Sequence, residues 1–233
     1  MRIDLHTHSI YSDGADTPER MVARAKAIGL DGFALTDHDS IAGWKRTIDA
    51  GKRLKLIVVP GEEISLRTGP KGKKCGEILG LFLNEEIKPR RITDAWEIID
   101  RIKGQDGISA IPHVYNPFWW RNNGIKVIEA AAKKHRKVDA IEVMNGKNTV
   151  GSNDRSNDYA IKHKYAKIAG SDAHLASEIG NAYTICETNN IEEFRKLIKK
   201  KKTFVLGDQR RLPGLIKDMA KCKTLRLLKF LRK

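Results

Sequence analysis

Cysteine is scarce in this sequence of 233 residues, and long apolar runs are absent. The three cysteines, Cys75, Cys186 and Cys222, are far apart and form no Cys-x-x-Cys pair. The sequence therefore predicts free thiols, not a disulfide framework or a thiolate zinc site. No segment approaches the roughly 18 consecutive apolar residues of a membrane span. The chain opens on strand-like residues without an apolar signal segment, so we expect a cytoplasmic protein with no transmembrane segment.

Two motifs of ester and phosphate chemistry are also missing. The sequence contains no Gly-x-Ser-x-Gly segment, which would present a nucleophilic serine. It also contains no Gly-x-x-x-x-Gly-Lys loop, which would bind nucleotide phosphates through its backbone. Hydrolytic chemistry in this chain must therefore come from other groups.

Positive charge is in excess, with a formal net charge of +15, but it is concentrated at one end. Residues 195–233 contain 15 Lys and Arg and two acidic residues, whereas the rest of the chain has 29 basic and 27 acidic residues. The body is nearly neutral, which argues against a nucleic-acid-binding protein as a whole. The basic tail leaves open an attraction to RNA, to an acidic membrane surface or to a partner.

Short apolar runs alternate with helical patterns along most of the chain. Strands are predicted at residues 3–7, 32–36, 56–59, 64–66, 78–83, 108–112, 140–144, 167–169, 182–186 and 203–206. Helices are predicted after Thr17-Pro18, over 41–50, from Thr93, and over 125–135, 154–162 and 191–200. So many βα units predict an α/β fold in one domain, either a barrel or a doubly wound sheet.

The last segment differs from the rest. From Leu212 onwards, apolar and basic residues interleave as in an amphipathic helix. We interpret residues 207–233 as a basic C-terminal extension packed on a domain that spans residues 1–206. Attachment to a membrane or to RNA is the alternative interpretation.

Histidine and carboxylate residues gather where predicted strands end. His6 and His8 are two residues apart on the first strand, so both imidazoles leave the same face and can share one metal ion. The remaining strand-end groups are Asp13, Asp37-His38-Asp39, Glu62-Glu63, His113 and Asp172-Ala173-His174. The carboxyl ends of strands form the active rim of a β/α barrel, so the sequence predicts a metal centre there. Two other histidines, His135 and His163, lie in Lys-rich helical segments and are interpreted as surface residues.

The ligand types restrict the metal. Imidazole and carboxylate without thiolate suit Mn²⁺, Zn²⁺ or Fe²⁺, and Mg²⁺ is less favoured because of the histidines. The number of candidate ligands is sufficient for two or three adjacent divalent ions. Such ions can activate a bridging hydroxide as the nucleophile and neutralise phosphate oxygens, so hydrolysis of a phosphate ester needs no protein nucleophile.

The chain resembles the polymerase and histidinol phosphatase (PHP) superfamily from Met1 to about Cys186. The motifs that carry the resemblance are His6-Thr-His8, Ser12-Asp13-Gly14, Thr36-Asp37-His38-Asp39, Gly61-Glu62-Glu63-Ile64-Ser65, Ile111-Pro112-His113 and Gly170-Ser171-Asp172-Ala173-His174. The residue patterns of these motifs are most similar to those of the branch that includes nucleoside 3',5'-bisphosphate phosphatases and a 5'-to-3' exoribonuclease. The resemblance implies a distorted (β/α)7 barrel of the PHP type that holds up to three metal ions.

The resemblance also implies a partition of the ligands. His6, His8, Glu63 and Asp172 would hold one ion, Glu63 and His113 a second, and Asp13, His38 and His174 a third. Asp37, His38 and His174 are the candidate catalytic residues. Asp37 either orients a ligand histidine from behind, which we favour, or touches solvent at the metal site.

One position departs from the family pattern. The family pattern has His-Ile-Leu-Gly where this chain has Glu77-Ile78-Leu79-Gly80. Glu77 would either bind the second ion and shift its preference toward harder metals, or face solvent and leave that position weak. We favour metal binding by Glu77.

Two basic residues are candidates for substrate binding. Arg121 follows an aromatic cluster at residues 115–120, which would stack on a base or sugar or else form a hydrophobic lid, and Arg121 would meet phosphate. Lys147 is a second phosphate candidate, and an ordinary surface lysine is the equal alternative.

The sequence thus predicts a hydrolase that acts on a phosphomonoester, such as a nucleotide, a short oligonucleotide end or another small phosphorylated substrate. A phosphodiesterase or 5'-3' exonuclease on RNA or DNA is the main alternative, because the same metal chemistry cuts both kinds of bond. Histidinol phosphatase activity and a non-catalytic PHP binding module are further alternatives. The oligomeric state is left open.

Overall fold

The computed structural model describes residues 1–68, 71–88, 90, 93–116, 124–208, 220 and 222–225. The strands are β1 (Arg2–Asp4), β2 (Gly32–Leu35), β3 (Ile57–Thr68), β4 (Lys73–Leu81), β5 (Ile108–Ile111), β6 (Ala140–Asn145), β7 (Ala166–Gly170), β8 (Ala182–Ile185) and β9 (Phe204–Gly207). The helices are α1 (Pro18–Ala27), α2 (Trp44–Leu54), α3 (Ala95–Gly104), α4 (Gly124–Ala132), α5 (Val150–Lys162) and α6 (Ile191–Lys199), with one 3₁₀ turn at Ala176–Glu178. Strands and helices alternate as the sequence predicts.

The strands form one sheet in chain order, and it closes on itself because β1 also pairs with β8. Within the described residues, the closed ring has eight strands, and β9 is added outside it on β8. β4 and β8 run antiparallel to their neighbours, whereas β1, β2 and β3 are parallel, as are β5, β6 and β7. The predicted fold class, a distorted α/β barrel, is confirmed, with one more strand in the ring than the seven that the resemblance implies.

β3 is continuous, although two separate strands were expected in this region. Residues 57–60 pair with β2 on one side, and from Gly61 onwards the strand pairs with β4 on the other side. Pro60 lies at this change of partner, so its missing N–H interrupts no continuous ladder. The long hairpin β3–β4 therefore extends the barrel wall beyond the ends of its neighbours.

The apolar residues pack in two main layers, and β6 shows how the strands divide them. Ala140 belongs to a cluster formed by strand residues and α6, whereas Ile141 and Val143 belong to the larger cluster that includes helix residues. Successive side chains of a strand leave opposite faces, so Glu142 shares the face of Ala140. A fully buried carboxylate on that face needs partners, which the site supplies.

Local sequence explains where helices start. α6 begins after Asn190, whose side-chain oxygen accepts hydrogen bonds from the backbone N–H groups of Glu192 (2.8 Å) and Glu193 (3.0 Å). α1 begins at Pro18, a residue suited to the first helical turn because its missing N–H has no partner there. Among the described residues, none of the helices is both long and apolar enough to cross a membrane.

Most of the predicted amphipathic tail lies outside the described residues, so its helical form stays a prediction. Cys222 is described: it is buried and packs with Ala15 and Leu175. Its Sγ lies 3.9 Å from the carbonyl oxygen of His174. All three cysteines are free thiols, as the sequence predicts.

Candidate metal centre

His6 and His8 follow β1, which ends at Asp4 and is shorter than expected, and they point their ring nitrogens at one another. The two Nε2 atoms are 3.0 Å apart, and Glu63 Oε2 lies 3.4 Å from each of them. Four ligands about 2.1 Å from one ion would stand about 3.4 Å from one another in tetrahedral geometry. All three side chains are buried. Their mutual distances are those expected for ligands of a single ion.

Asp172 completes this first group from the loop after β7. Its Oδ1 lies 3.3 Å from His8 Nε2 and 3.8 Å from His6 Nε2. The backbone of Asp172 has a φ of 53°, which is uncommon for a residue with a side chain, and its N–H donates to the carbonyl oxygen of His6 at 2.8 Å. The strained loop is thus tied to β1 next to the residues that it faces.

Glu63 is shared with a second group. Its Oε2 lies 3.1 Å from His38 Nδ1, and its Oε1 lies 3.1 Å from His113 Nε2. Both histidines follow strand ends, His38 after β2 and His113 after β5. One carboxylate therefore lies between imidazoles from three parts of the barrel, including β1, as a carboxylate that bridges two ions would.

Glu77 faces this second group. Its Oε1 is 3.5 Å from His38 Nδ1 and its Oε2 is 3.6 Å from His113 Nε2. Glu77 pairs with Ser65 across the hairpin, and Ser65 shares a face of β3 with Glu63, so the two glutamates are diagonal neighbours. The side chain is buried, and of the two interpretations of Glu77 the solvent-facing one does not fit its position.

A third group surrounds Asp13. Its Oδ1 lies 3.2 Å from His174 Nε2, 3.7 Å from His38 Nε2 and 3.8 Å from His8 Nδ1. His8 and His38 therefore each have one ring nitrogen near this group and the other near Glu63. The partition implied by the resemblance gave each of these histidines to one ion only, and the structure places both at the boundary between two groups.

Several of these buried atoms make no well-aligned hydrogen bond to the described part of the chain: His8 Nδ1, Asp13 Oδ1, His38 Nδ1 and Glu63 Oε2. Leaving buried polar atoms unpaired costs about 1–3 kcal/mol each, more when they are charged. Divalent ions would satisfy all of them. The donor set, imidazole and carboxylate, suits Mn²⁺, Zn²⁺ or Fe²⁺, so the residues fit the predicted metals.

The pKa values favour the ligating forms of two side chains. Burial raises the pKa of Glu63, but the neighbouring His38 and His6 outweigh burial and hold it well below its usual range. Burial, together with His174 and His38, lowers the pKa of His8 to about 3. At neutral pH Glu63 is therefore ionised and His8 is neutral, the states that bind a metal ion.

His6 behaves differently. Burial lowers its pKa, but the charges of Glu142, Glu63 and Asp172 outweigh burial and raise it well above the usual value. A carboxylate environment that draws a proton to His6 also draws a divalent cation, which would replace that proton.

Glu142 supports two of the histidines and was missed by the sequence analysis. Its Oε1 lies 3.0 Å from His6 Nδ1, and its Oε2 accepts hydrogen bonds from the backbone N–H of His113 and the side chain of Asn145, both at 2.8 Å. A carboxylate behind a ligating histidine fixes which ring nitrogen faces the metal. The available signal was a single acidic residue inside the otherwise uncharged strand β6.

Glu178 and Lys147 support His174. Glu178 Oε2 accepts from the backbone N–H groups of His174 (2.8 Å) and Leu175 (3.0 Å), and Lys147 Nζ donates to Glu178 Oε1. Lys147 is buried, so it is not the ordinary surface lysine of one sequence interpretation. Its ammonium is turned to Glu178, and its predicted contact with phosphate stays a prediction.

Asp37 lies behind the loop that carries Asp13. Its carboxylate accepts from the backbone N–H and hydroxyl of Ser9, both at 2.7 Å, and from the hydroxyl of Ser12 at 2.6 Å. Burial raises its pKa. These contacts hold Ser9 and Ser12, so Asp37 supports the loop of Asp13, and its predicted orientation of a ligand histidine stays a prediction.

Two further sets of residues were singled out by the sequence. Arg121 and most of the aromatic cluster at 115–120 are outside the described residues, so their predicted substrate contacts stay predictions. His135 and His163 are exposed, as expected.

Comparisons with known proteins found relatives of this chain. A family model described as PHP-associated matches residues 150–203. The chain is 30% identical over 211 residues to an uncharacterized protein of Methanocaldococcus jannaschii, covering 86% of this chain and 80% of that one. It is 42% identical over 82 residues to the phosphoribosyl 1,2-cyclic phosphate 1,2-diphosphodiesterase of Eggerthella lenta, covering 35% of this chain and 31% of that enzyme.

A solved structure has a similar fold. It belongs to a two-domain protein of Bacteroides vulgatus described as containing a predicted PHP-like metal-dependent phosphoesterase. The TM-score is 0.68 at 19% identity, over 89% of this chain and 64% of that one.

Proposed function

This chain belongs to the PHP superfamily of metal-dependent phosphoesterases, and on that premise we propose that it hydrolyses phosphomonoesters of a nucleotide or another small phosphorylated metabolite. The observation that carries the proposal is the position of Glu63. Its two oxygens lie 3.1 Å from His38 and from His113, and one of them also faces His6 and His8. This arrangement suits adjacent ions that share a bridging carboxylate.

Divalent ions bound there would lower the pKa of a coordinated water and neutralise charge on the phosphate oxygens. The protein's own part is to hold the ligands rigid, with the Glu63 carboxylate ionised and the His8 imidazole neutral. Glu142 orients His6, and Glu178 holds the backbone at His174. Such preorganised groups need no rearrangement when charge develops on the phosphate.

The exposed side of the centre indicates where the substrate enters. His6, His8 and Glu63 form a buried floor, whereas the side chains of His38 (19% exposed) and Asp13 (32% exposed) reach solvent. We infer that the scissile phosphate approaches the group around Asp13. His38 and His174 would then be the imidazoles nearest to the reacting atoms.

Phosphodiester hydrolysis is the second candidate. One observation favours it: the stretch of 82 residues that is 42% identical to a diphosphodiesterase. The match spans only 31% of that enzyme, so its support for diester hydrolysis is weak. The geometry of the centre supports phosphate-ester hydrolysis in general.

The test is hydrolysis by the Mn²⁺-loaded protein of p-nitrophenyl phosphate, bis(p-nitrophenyl) phosphate, nucleoside 3',5'-bisphosphates, histidinol phosphate and 5'-phosphorylated RNA oligomers. We expect faster release from monoesters than from the diester. Glu63→Gln should lower kcat/KM by about a hundredfold or more, since it removes the shared ligand. The matched control is His135→Ala, which removes an exposed imidazole and should leave kcat/KM unchanged.

The outcomes separate the candidates. Preference for the diester would favour the phosphodiesterase, and selective release from histidinol phosphate would identify a histidinol phosphatase. A folded, metal-loaded protein that hydrolyses none of these esters would contradict the proposal and favour a binding module.

A further inference from the structure

Lys74 reaches the metal centre from the hairpin β3–β4. Its Nζ donates to Oε1 of Glu77, the same oxygen that lies 3.5 Å from His38 Nδ1. The Glu77 side chain is only 6% exposed, whereas that of Lys74 is 46% exposed. A flexible cation therefore lies between solvent and a carboxylate of the candidate ligand set.

A break in the hairpin ladder explains why Lys74 turns this way. Leu66 pairs with Gly76, but the next residue, Arg67, pairs with Lys74, so Cys75 has no counterpart on β3. In a regular strand, residues 74 and 77 would leave opposite faces. An extra residue in one strand inverts the alternation beyond it, which brings Lys74 to the face of Glu77 and leaves its neighbour Lys73 pointing elsewhere.

Glu77 and Lys74 bring opposite charges to the centre. Glu77 adds one negative charge to a centre that already includes Asp13, Glu63 and Asp172. Lys74 adds one positive charge at the same place. The Glu77–Lys74 pair thus has no net charge, like a neutral imidazole. Unlike the atoms of an imidazole, its two charged groups can move apart.

A metal ion bound among His38, Glu63 and Glu77 would need the carboxylate that Lys74 contacts. Two cations at one carboxylate oxygen repel each other, so ion binding should displace the ammonium. The Lys74 side chain is long and half exposed, so it can turn toward the open side of the centre. An ammonium there is a suitable point charge for a phosphate oxygen.

We propose that Lys74 is an exchangeable cation: it competes with a divalent ion for Glu77 and, once displaced, binds a phosphate oxygen of the substrate. This inference rests on the proposed function, because it assigns Lys74 to the substrate phosphate at the same centre.

The test compares Lys74→Met with Lys73→Met, which removes the adjacent exposed lysine. Isothermal titration gives two affinities for each variant: that of Mn²⁺ for the metal-free protein, and that of inorganic phosphate for the Mn²⁺-loaded protein. In Lys74→Met we expect Mn²⁺ to bind about fivefold or more tightly and phosphate to bind about tenfold more weakly. Lys73→Met should match the unsubstituted protein in both, and Lys74→Arg should retain most of the phosphate affinity.

Opposite changes in the two affinities are the signature of exchange. A lysine that only supports the hairpin would, on removal, weaken both affinities together. Mn²⁺ affinity in Lys74→Met equal to that in Lys73→Met would overturn the inference, even if phosphate binding falls. If the unsubstituted, loaded protein neither binds phosphate nor hydrolyses any ester, the proposed function itself fails, and the Mn²⁺ titration still decides on the competition.

Discussion

Glu142 contacts two metal-centre histidines at once, through the ring of His6 and the backbone of His113. Its replacement by Gln keeps the shape but removes the charge that fixes the His6 tautomer and draws cations to it. We expect Glu142→Gln to lower Mn²⁺ affinity about 10- to 100-fold, the usual effect of losing a carboxylate behind a ligating histidine. Isothermal titration measures this change.

Glu129→Gln provides the control for Glu142→Gln, since Glu129 is exposed on α4 and its substitution changes the net charge equally. Equal Mn²⁺ affinities in the two variants would mean that Glu142 has no influence on the centre beyond general charge.

The buried pair of Lys147 and Glu178 affects stability more directly. Lys147→Met leaves the carboxylate of Glu178 buried without its cation, and breaking such a pair typically costs about 3–5 kcal/mol. We expect a loss of about 3 kcal/mol in the free energy of unfolding, measured with urea. A double variant with Lys147→Met and Glu178→Gln, which removes both charges and keeps an oxygen acceptor for the N–H groups of His174 and Leu175, should recover part of the loss. Unchanged stability in Lys147→Met would show that the pair contributes little.

Sequence alone identified the groups that face the centre better than those that support them. His6, His8, Glu63 and Asp172 stand near strand ends, where chemistry and spacing make them candidates, and the family resemblance groups them around one ion. Glu142 and Glu178 are single acids in unremarkable segments. Their importance depends on which backbone N–H or ring nitrogen lies opposite, and tertiary packing alone determines that.

At the scale of elements, Gly170 at the end of β7 packs closely against His6, which follows β1. A Cβ atom there would lie 2.3 Å from the His6 Cβ and 2.6 Å from the His6 backbone nitrogen. Gly170→Ala must therefore separate the strand ends that carry His6 and Asp172. We expect loss of Mn²⁺ binding together with a lower melting temperature.

Gly151→Ala is the matched substitution for Gly170→Ala. Gly151 lies in the first turn of α5, and, apart from its chain neighbours and the backbone of its own helix, no atom of the described residues lies within 4 Å of a Cβ there. Alanine should be tolerated or stabilise the helix by about 0.5–1 kcal/mol. A Gly170→Ala protein as stable and as metal-competent as Gly151→Ala would contradict the close approach.

The periodicity of the sequence predicted the elements well, because most of them are short and bounded by polar residues or turns. It divided β3 in two, since Pro60-Gly61 is a common end of a strand. A single sequence does not show that β3 changes partner at this point. The face of the hairpin on which the Lys74 side chain lies could not be predicted either, because the ladder break at Cys75 depends on how β3 and β4 are paired.

At the scale of the whole molecule, the metal centre joins distant parts of the chain. Its candidate ligands come from the hairpin and from the segments that follow β1, β2, β5 and β7. Ions that bind only the folded state stabilise it by about 2.7 kcal/mol at a concentration one hundred times Kd. We expect Mn²⁺ to raise the melting temperature and EDTA to lower it, with the effect of Mn²⁺ much reduced in Glu63→Gln. Equal shifts in both proteins would place the stabilising ions elsewhere.

The tail is the other feature of the whole molecule. The ligands of the centre all precede it, and the described contact of Cys222 is with Ala15, Leu175 and the backbone of His174. Deletion of residues 215–233 should therefore change kcat/KM for p-nitrophenyl phosphate by no more than about threefold, since the segment supplies none of the candidate ligands. The deletion removes seven Lys and Arg and one acidic residue.

For RNA oligomers the same deletion should have a different effect. If the tail attracts phosphates, its loss weakens RNA binding and flattens the dependence of affinity on salt, because fewer counterions are released. Cys222→Ala in the full chain separates packing from charge: it removes the Sγ contact near His174 and keeps every lysine and arginine. A deletion that abolishes hydrolysis of p-nitrophenyl phosphate in a folded protein, with Cys222→Ala equally impaired, would make the tail part of the centre. Impairment by the deletion alone would point to its positive charge.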